Sequence, residues 1–205
     1  MNFFKVNSYD IVKLYLTQIA ISIFALIMYT ALGFIQSNES LSITFQIIIS
    51  VFSILFYLVL LYTAAWDWGA NDKIRADGGR CTLDKLRGFK MAALANIPNY
   101  IFAFIPALGF GLGALGIESF VAKIGAIFVV ILRFTASMFQ GLLVNVFDFL
   151  KTDIEGATNY PYFFAEACGY IFMILLSIFA THLAYTLGSK DKKIFGFIKT
   201  NKKYE

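Results

Sequence analysis

Apolar residues dominate five stretches of the chain, roughly 14–35, 42–66, 91–116, 117–149 and 163–187, and the connectors between them are short and polar. A helix needs about 20 apolar residues to cross the hydrocarbon of a bilayer, so each stretch predicts a membrane helix. The expected fold is an all-α, polytopic integral membrane helical bundle. It forms one transmembrane domain over residues 1–205, because no connector is long enough to hold a water-soluble domain.

The first two stretches are the clearest pair. The connector Gln36-Ser37-Asn38-Glu39-Ser40 has no Lys or Arg, whereas 67–90 holds Lys73, Arg75, Arg80, Lys85, Arg87 and Lys90. The positive-inside bias puts the first connector outside, and the N-terminus and 67–90 inside. Tyr62, Trp66 and Trp68 suit an aromatic anchor at the inner interface.

An internal echo runs through this hairpin. Residues 18–29 read QIAISIFALIMY and 46–57 read QIIISVFSILFY, with six identities in twelve. In each copy Gln, Ser, a small residue and Tyr recur at i, i+4, i+7 and i+11, on one helical face. Helix–helix contacts favour small and hydrogen-bonding side chains. Gln18, Ser22, Ala25 and Tyr29 are thus expected to face inward with Gln46, Ser50, Ser53 and Tyr57. The two copies read either as an inverted repeat or as a chance likeness between Ile- and Phe-rich segments.

Parity then poses a problem. The tail 189–203 is as basic as 67–90, with six Lys or Arg in each, but three apolar stretches separate them. If both lie on the cytoplasmic side, one of the three cannot cross simply. Pro98, Pro106 and the glycines from Gly109 to Gly116 make 91–116 the expected broken or re-entrant one, giving four full spans. Five plain spans are the next alternative, and a split 117–149 would give the same ends but break the polar stripe along it. In 117–149, Ser119, Ala122, Ala126, Arg133, Ser137 and Gln140 stay in phase on a helical wheel, which predicts one continuous helix.

Composition agrees with a membrane chain: 59% hydrophobic, 18% aromatic and 15% charged, where a soluble domain carries about 25% charged residues. The net charge of +4 is explained by loop placement, so nucleic acid is not an expected partner. Thirteen Lys against four Arg, with abundant Phe, Ile, Asn and Tyr, suggests an AT-rich coding sequence and a bacterial inner membrane. Both termini are expected in the cytoplasm.

Few residues carry candidate chemistry. Arg133 lies near the middle of an apolar stretch, where an unpaired charge costs about 3 kcal/mol or more. Glu166 is the only comparably placed acid, although four residues into its stretch it reads as interfacial. Arg133, Glu166, Gln140, Ser137 and Gln46 are the candidate lining of a polar cavity. Lys73, Arg75, Arg80, Lys85 and Arg87 form a candidate surface for anionic lipid or a partner subunit.

Gly111-x-Gly113-x-x-Gly116 matches a dinucleotide fingerprint by letters alone and lacks the strand before it. Asp77-Gly78 lacks the Ala-Arg expected of a headgroup transferase, and Asp67, Asp72 and Asp77 read as solvated loop acids. No cofactor and no enzymatic activity are expected. The first functional expectation is the membrane component of a small-solute or ion transport system. The alternative is a scaffold or accessory subunit that docks through 67–90.

Overall fold

The computed structural model describes residues 3–35, 39–117, 120–151 and 159–193, and every regular element among them is helical. The long helices are α1 (Phe3–Ile35), α2 (Glu39–Asp77), α4 (Ile97–Ala114), α5 (Phe120–Thr135) and α7 (Tyr160–Ser189). Short helix α3 (Arg87–Ala95) leads into α4, and α6 (Gln140–Val146) follows α5 through a 3₁₀ turn at Ser137–Phe139. Residues 36–38, Ser119 of the expected stripe, 152–158 of the linker and the tail beyond 193 lie outside the described residues.

Four helices are long and apolar enough to cross a membrane: α1, α2, α4 and α7. Their outward faces are Phe, Ile, Leu and Val, with Phe52, Phe104, Phe172 and Phe179 all more than half exposed. Apolar side chains of this kind are at home against lipid, where association depends on close packing and hydrogen bonds. The packing is close where glycines permit it. A Cβ on Gly69 would sit 2.2 Å from the Tyr185 carbonyl, and one on Gly188 would sit 2.1 Å from that of Trp66. Helices α2 and α7 therefore meet backbone to backbone.

Two expectations are corrected. The stretch 91–116 breaks only at Asn96, just ahead of Pro98, and Pro98 falls in the first turn of α4, where its missing N–H is harmless. Helix α4 then runs unbroken through Pro106, supported by α5, whose Gly125 lies against the Pro106 backbone. The sharp break falls instead in 117–149, expected to be continuous. There α5 and the segment Ser137–Val146 meet at 86°. The stripe is correspondingly lost: α5 buries Ala122, Gly125, Val129 and Leu132, and Ala126 is exposed.

Contacts fix the direction of each element. Asn7, Asp72, Arg87 and Tyr185 meet at one end, here the basic end. At the opposite, far end α4 stops beside the start of α7, with Gly113 against Tyr160. Helix α5 starts at that far end, where Gly109 touches Val121. After α6, Lys151 lies over the Tyr162 ring, 5.1 Å from its centroid, again at the far end. The α5–α6 segment thus dips into the bundle and returns. With four such helices around it, 67–90 and the described start of the tail, 190–193, fall at one end of the bundle, as the parity argument requires.

The basic stretch 67–90 is also more helical than a loop. Helix α2 continues to Asp77 and α3 begins at Arg87, leaving 78–86 as the connector. Within it Asp84 accepts from Lys90 Nζ at 2.8 Å and from the Leu86 amide at 3.0 Å. The Lys90 hydrogen bond holds the Asp84 carboxyl below the usual carboxylate range.

Candidate functional site

A helix break inside a membrane frees backbone groups that water cannot reach, so each needs a protein partner. Thr135 begins the break by bonding its hydroxyl back to the Ile131 carbonyl at 3.1 Å, a contact known to bend helices. The freed Thr135 carbonyl accepts from Ser22 Oγ on α1 at 2.9 Å. Ser137 Oγ donates in return to the Ser22 carbonyl. On the far side of the turn, the Leu142 amide donates to Ser50 Oγ at 2.9 Å and that of Gly141 to the Tyr29 hydroxyl at 3.3 Å. Tyr29 and Ser50 are themselves bonded at 2.6 Å. Asn145 Nδ2 donates to Gln46 Oε1 at 3.3 Å.

The echo is thereby given a physical role. Gln18, Ser22, Ala25, Ser50, Ser53 and Tyr57 are all buried, as the shared helical face requires. One end of the paired stripes stitches the α5–α6 break. The other end meets the milder break at Asn96. There Asn96 Nδ2 bonds the Ala92 carbonyl at 3.0 Å, and Asn99 Nδ2 donates to Gln18 Oε1 at 3.0 Å. Tyr57 reaches the same Gln18 oxygen at 3.5 Å. Gln18 thus pairs with Asn99, and its counterpart in the echo, Gln46, with Asn145. Among the described residues, Gln18 Nε2, Ser53 Oγ and Asn99 Oδ1 are buried here without a hydrogen-bond partner.

Arg133 and Glu166 form the charged centre. Arg133 sits in the last turn of α5, and its side chain turns toward the start of α7. Nε donates to Glu166 Oε1 at 2.8 Å and Nη2 to Oε2 at 2.7 Å, a bidentate pair. The guanidinium lies over the Phe163 ring, 5.7 Å from its centroid. Glu166, in the second turn of α7, is 0% exposed, so it is not a solvated carboxylate. It is covered because α2, α4 and α6 pack around α7 and the Arg133 side chain reaches over from α5. The Arg133 side chain keeps 31% exposure, so the pair has one closed and one open side. The Tyr170 hydroxyl, one turn further along α7, is buried with no hydrogen-bond partner among the described residues.

Of the other expected cavity residues, Ser137 and Gln46 belong to the stitched break and Gln140 is half-buried at the head of α6. The structure therefore joins Arg133 to Glu166 and Ser137 to the α1 stripe, and places Gln46 one helix away.

A second charged node closes the basic end. Arg87 is ion-paired with Asp72 and donates twice to Asn7 Oδ1, at 3.2 and 2.8 Å, while the Tyr185 hydroxyl donates to Asp72 Oδ2 at 2.7 Å. Four helices are latched there. Asp72 is only 7% exposed, so it is no solvated loop acid, and Arg87 is turned inward, away from the surface role expected of it. Sequence reading placed both in a loop, because the apolar pattern of α2 fades after Trp68. Arg75, Arg80 and Lys85 are exposed and Lys73 is half-buried.

The chain matches no protein-family model, no curated protein and no solved structure. Its function must be argued from this geometry.

Proposed function

We propose that this multi-pass membrane protein is the membrane component of a small-solute or ion transport system, in which the Arg133–Glu166 pair is the element that parts. The observation that carries the reading is a fully buried carboxylate held bidentately by an Arg on a re-entrant segment. Ionisable residues at membrane depth are costly and commonly mark a pathway. Re-entrant backbone is tolerated only inside protein or beside a water-filled cavity. The unpartnered polar atoms of Gln18, Ser53, Asn99 and Tyr170 add hydrogen-bonding capacity inside the bundle, where a hydrated solute could use it. On this reading the basic end faces the cytoplasm, energy coupling comes from a gradient or a partner, and no catalysis is involved.

A second reading, the scaffold or accessory subunit, is favoured by one fact. Most of the polar stripe is already engaged in holding the helix breaks. Proteoliposomes loaded with dyes for protons, potassium and chloride separate the two. Wild type should pass one of these ions, and the double variant R133L/E166L, which leaves no unpaired charge, should fold and lose the flux. Equal flux of the conducted ion through both proteins would overturn the role given to the Arg133–Glu166 pair.

A further inference from the structure

The connector before α3 and the end of α7 enclose a cavity of about 360 Å³ at the basic end. Lys85 and Lys190 line it from two segments far apart in sequence, together with Thr186, Ser189 and an edge of His182. The Thr186 and Ser189 hydroxyls donate to carbonyls of their own helix, at 2.9 Å each, so they offer lone pairs and the lysines supply the donors. Among the described residues neither Lys85 nor Lys190 has a carboxylate partner. The acids beside them do not change this: Asp84 is held by Lys90 and the Leu86 amide, and Asp191 is exposed. Two ammonium groups without counter-ions around one cavity call for an anion.

The rest of the wall says which kind. Leu83 and Leu86 make part of it apolar, and Leu86 is 53% exposed. Phe89 packs edge-on against His182 at 6.2 Å, and with Phe179 and Leu183 it presents an exposed apolar face leading away from the cavity toward the middle of the bundle. The end of α7 is pinned from inside the bundle: the buried Trp66 donates its indole N–H to the Lys192 carbonyl at 2.8 Å. The basic residues around it mark this end as the one beside the headgroups. A charged head beside an apolar strip at interface depth matches a lipid, not a soluble ion.

We propose that this cavity binds the phosphate of an anionic phospholipid, with Lys85 and Lys190 on the phosphate and the acyl chains along Phe89, Phe179 and Leu183. Its volume lies in the ordinary range for a small-ligand site. This site is separate from the Arg133–Glu166 pair and does not depend on the transport reading.

The test is lipid binding by the full chain in a zwitterionic detergent, followed by native mass spectrometry and thermal unfolding. The probes are phosphatidylglycerol, phosphatidylcholine and inorganic phosphate. Wild type should retain one phosphatidylglycerol in preference to phosphatidylcholine, and K85Q/K190Q should weaken that binding roughly thirtyfold, as two interfacial lysines would. A control with the same charge change elsewhere on the basic end, K73Q/R75Q, should bind as wild type does. Equal weakening in the control, or full binding by K85Q/K190Q, would overturn the site. Saturation by inorganic phosphate with the same thermal shift would overturn the lipid as its ligand.

Discussion

Ser22 Oγ and the Thr135 carbonyl lie 2.9 Å apart across 113 residues of chain, and this bond closes the backbone where α5 ends. Removing the hydroxyl leaves a buried carbonyl without its partner. S22A should lose about 1 kcal/mol of stability, within the range for interhelical hydrogen bonds in bilayers. T17A, on the same helix, removes only an exposed bond to its own backbone and should be near neutral. Unfolding in mixed micelles compares the two, and equal effects would sink the stitching role of Ser22.

Gly141 gives a steric counterpart. A Cβ there would lie 2.4 Å from the Gln46 carbonyl and 2.8 Å from the Tyr29 hydroxyl. G141A must push α6 away from α2 and should cost about 1–3 kcal/mol, the scale of overpacking. Gly33 has nothing within 4 Å of that position, so G33A should be neutral or stabilise by up to about 1 kcal/mol through helix propensity. If thermal unfolding ranks them the other way, α6 does not pack as described.

The charged pairs make an asymmetric prediction. Glu166 is fully buried, so R133L leaves it uncompensated and should cost about 3–5 kcal/mol, whereas R133L/E166L should recover most of that loss. A double variant no more stable than R133L would show that the carboxylate has other partners.

At the basic end, R87Q strands Asp72 and should destabilise far more than R75Q or R80Q, whose side chains are exposed. Y185F removes one hydrogen bond to the same carboxylate and should cost about 1.5–3 kcal/mol. Chemical unfolding of the four variants checks this order. Loss that merely tracks the number of charges removed would argue against a latch.

The path of the chain can be tested with membrane-impermeant thiol reagents, in a background without Cys168. Native Cys81 and an introduced D191C should label from one face of the membrane, and K151C from the other. Labelling of K151C from the same face as Cys81 would mean that α5–α6 crosses.

The helical class, the inward Gln, Ser and Tyr face of the first hairpin, and Glu166 as the partner for Arg133 were all legible from periodicity and from the cost of burying charge. The location of the break was not. Proline signals a break by local chemistry, but Pro98 falls where a helix begins and Pro106 is supported by α5. The break at Ala136 has no proline or glycine beside it. Its stability comes from Ser22, Tyr29 and Ser50, which reach it from other helices. A window sliding along 117–149 contains none of these residues. The latch escaped for a related reason: Asp72 and Arg87 gain their partners only when α1 and α7 arrive.

The re-entrant turn also imposes an order on biogenesis. Its backbone is completed by side chains from helices made earlier, so α5–α6 has no means of remaining at depth in an empty bilayer. The first hairpin must already be inserted and paired when that segment emerges. Chain order supplies this, since the ribosome delivers Ser22, Tyr29 and Ser50 well before Thr135 and Leu142. A permuted chain that synthesised α5–α6 first would present bare peptide groups to lipid, with nothing yet made to receive them.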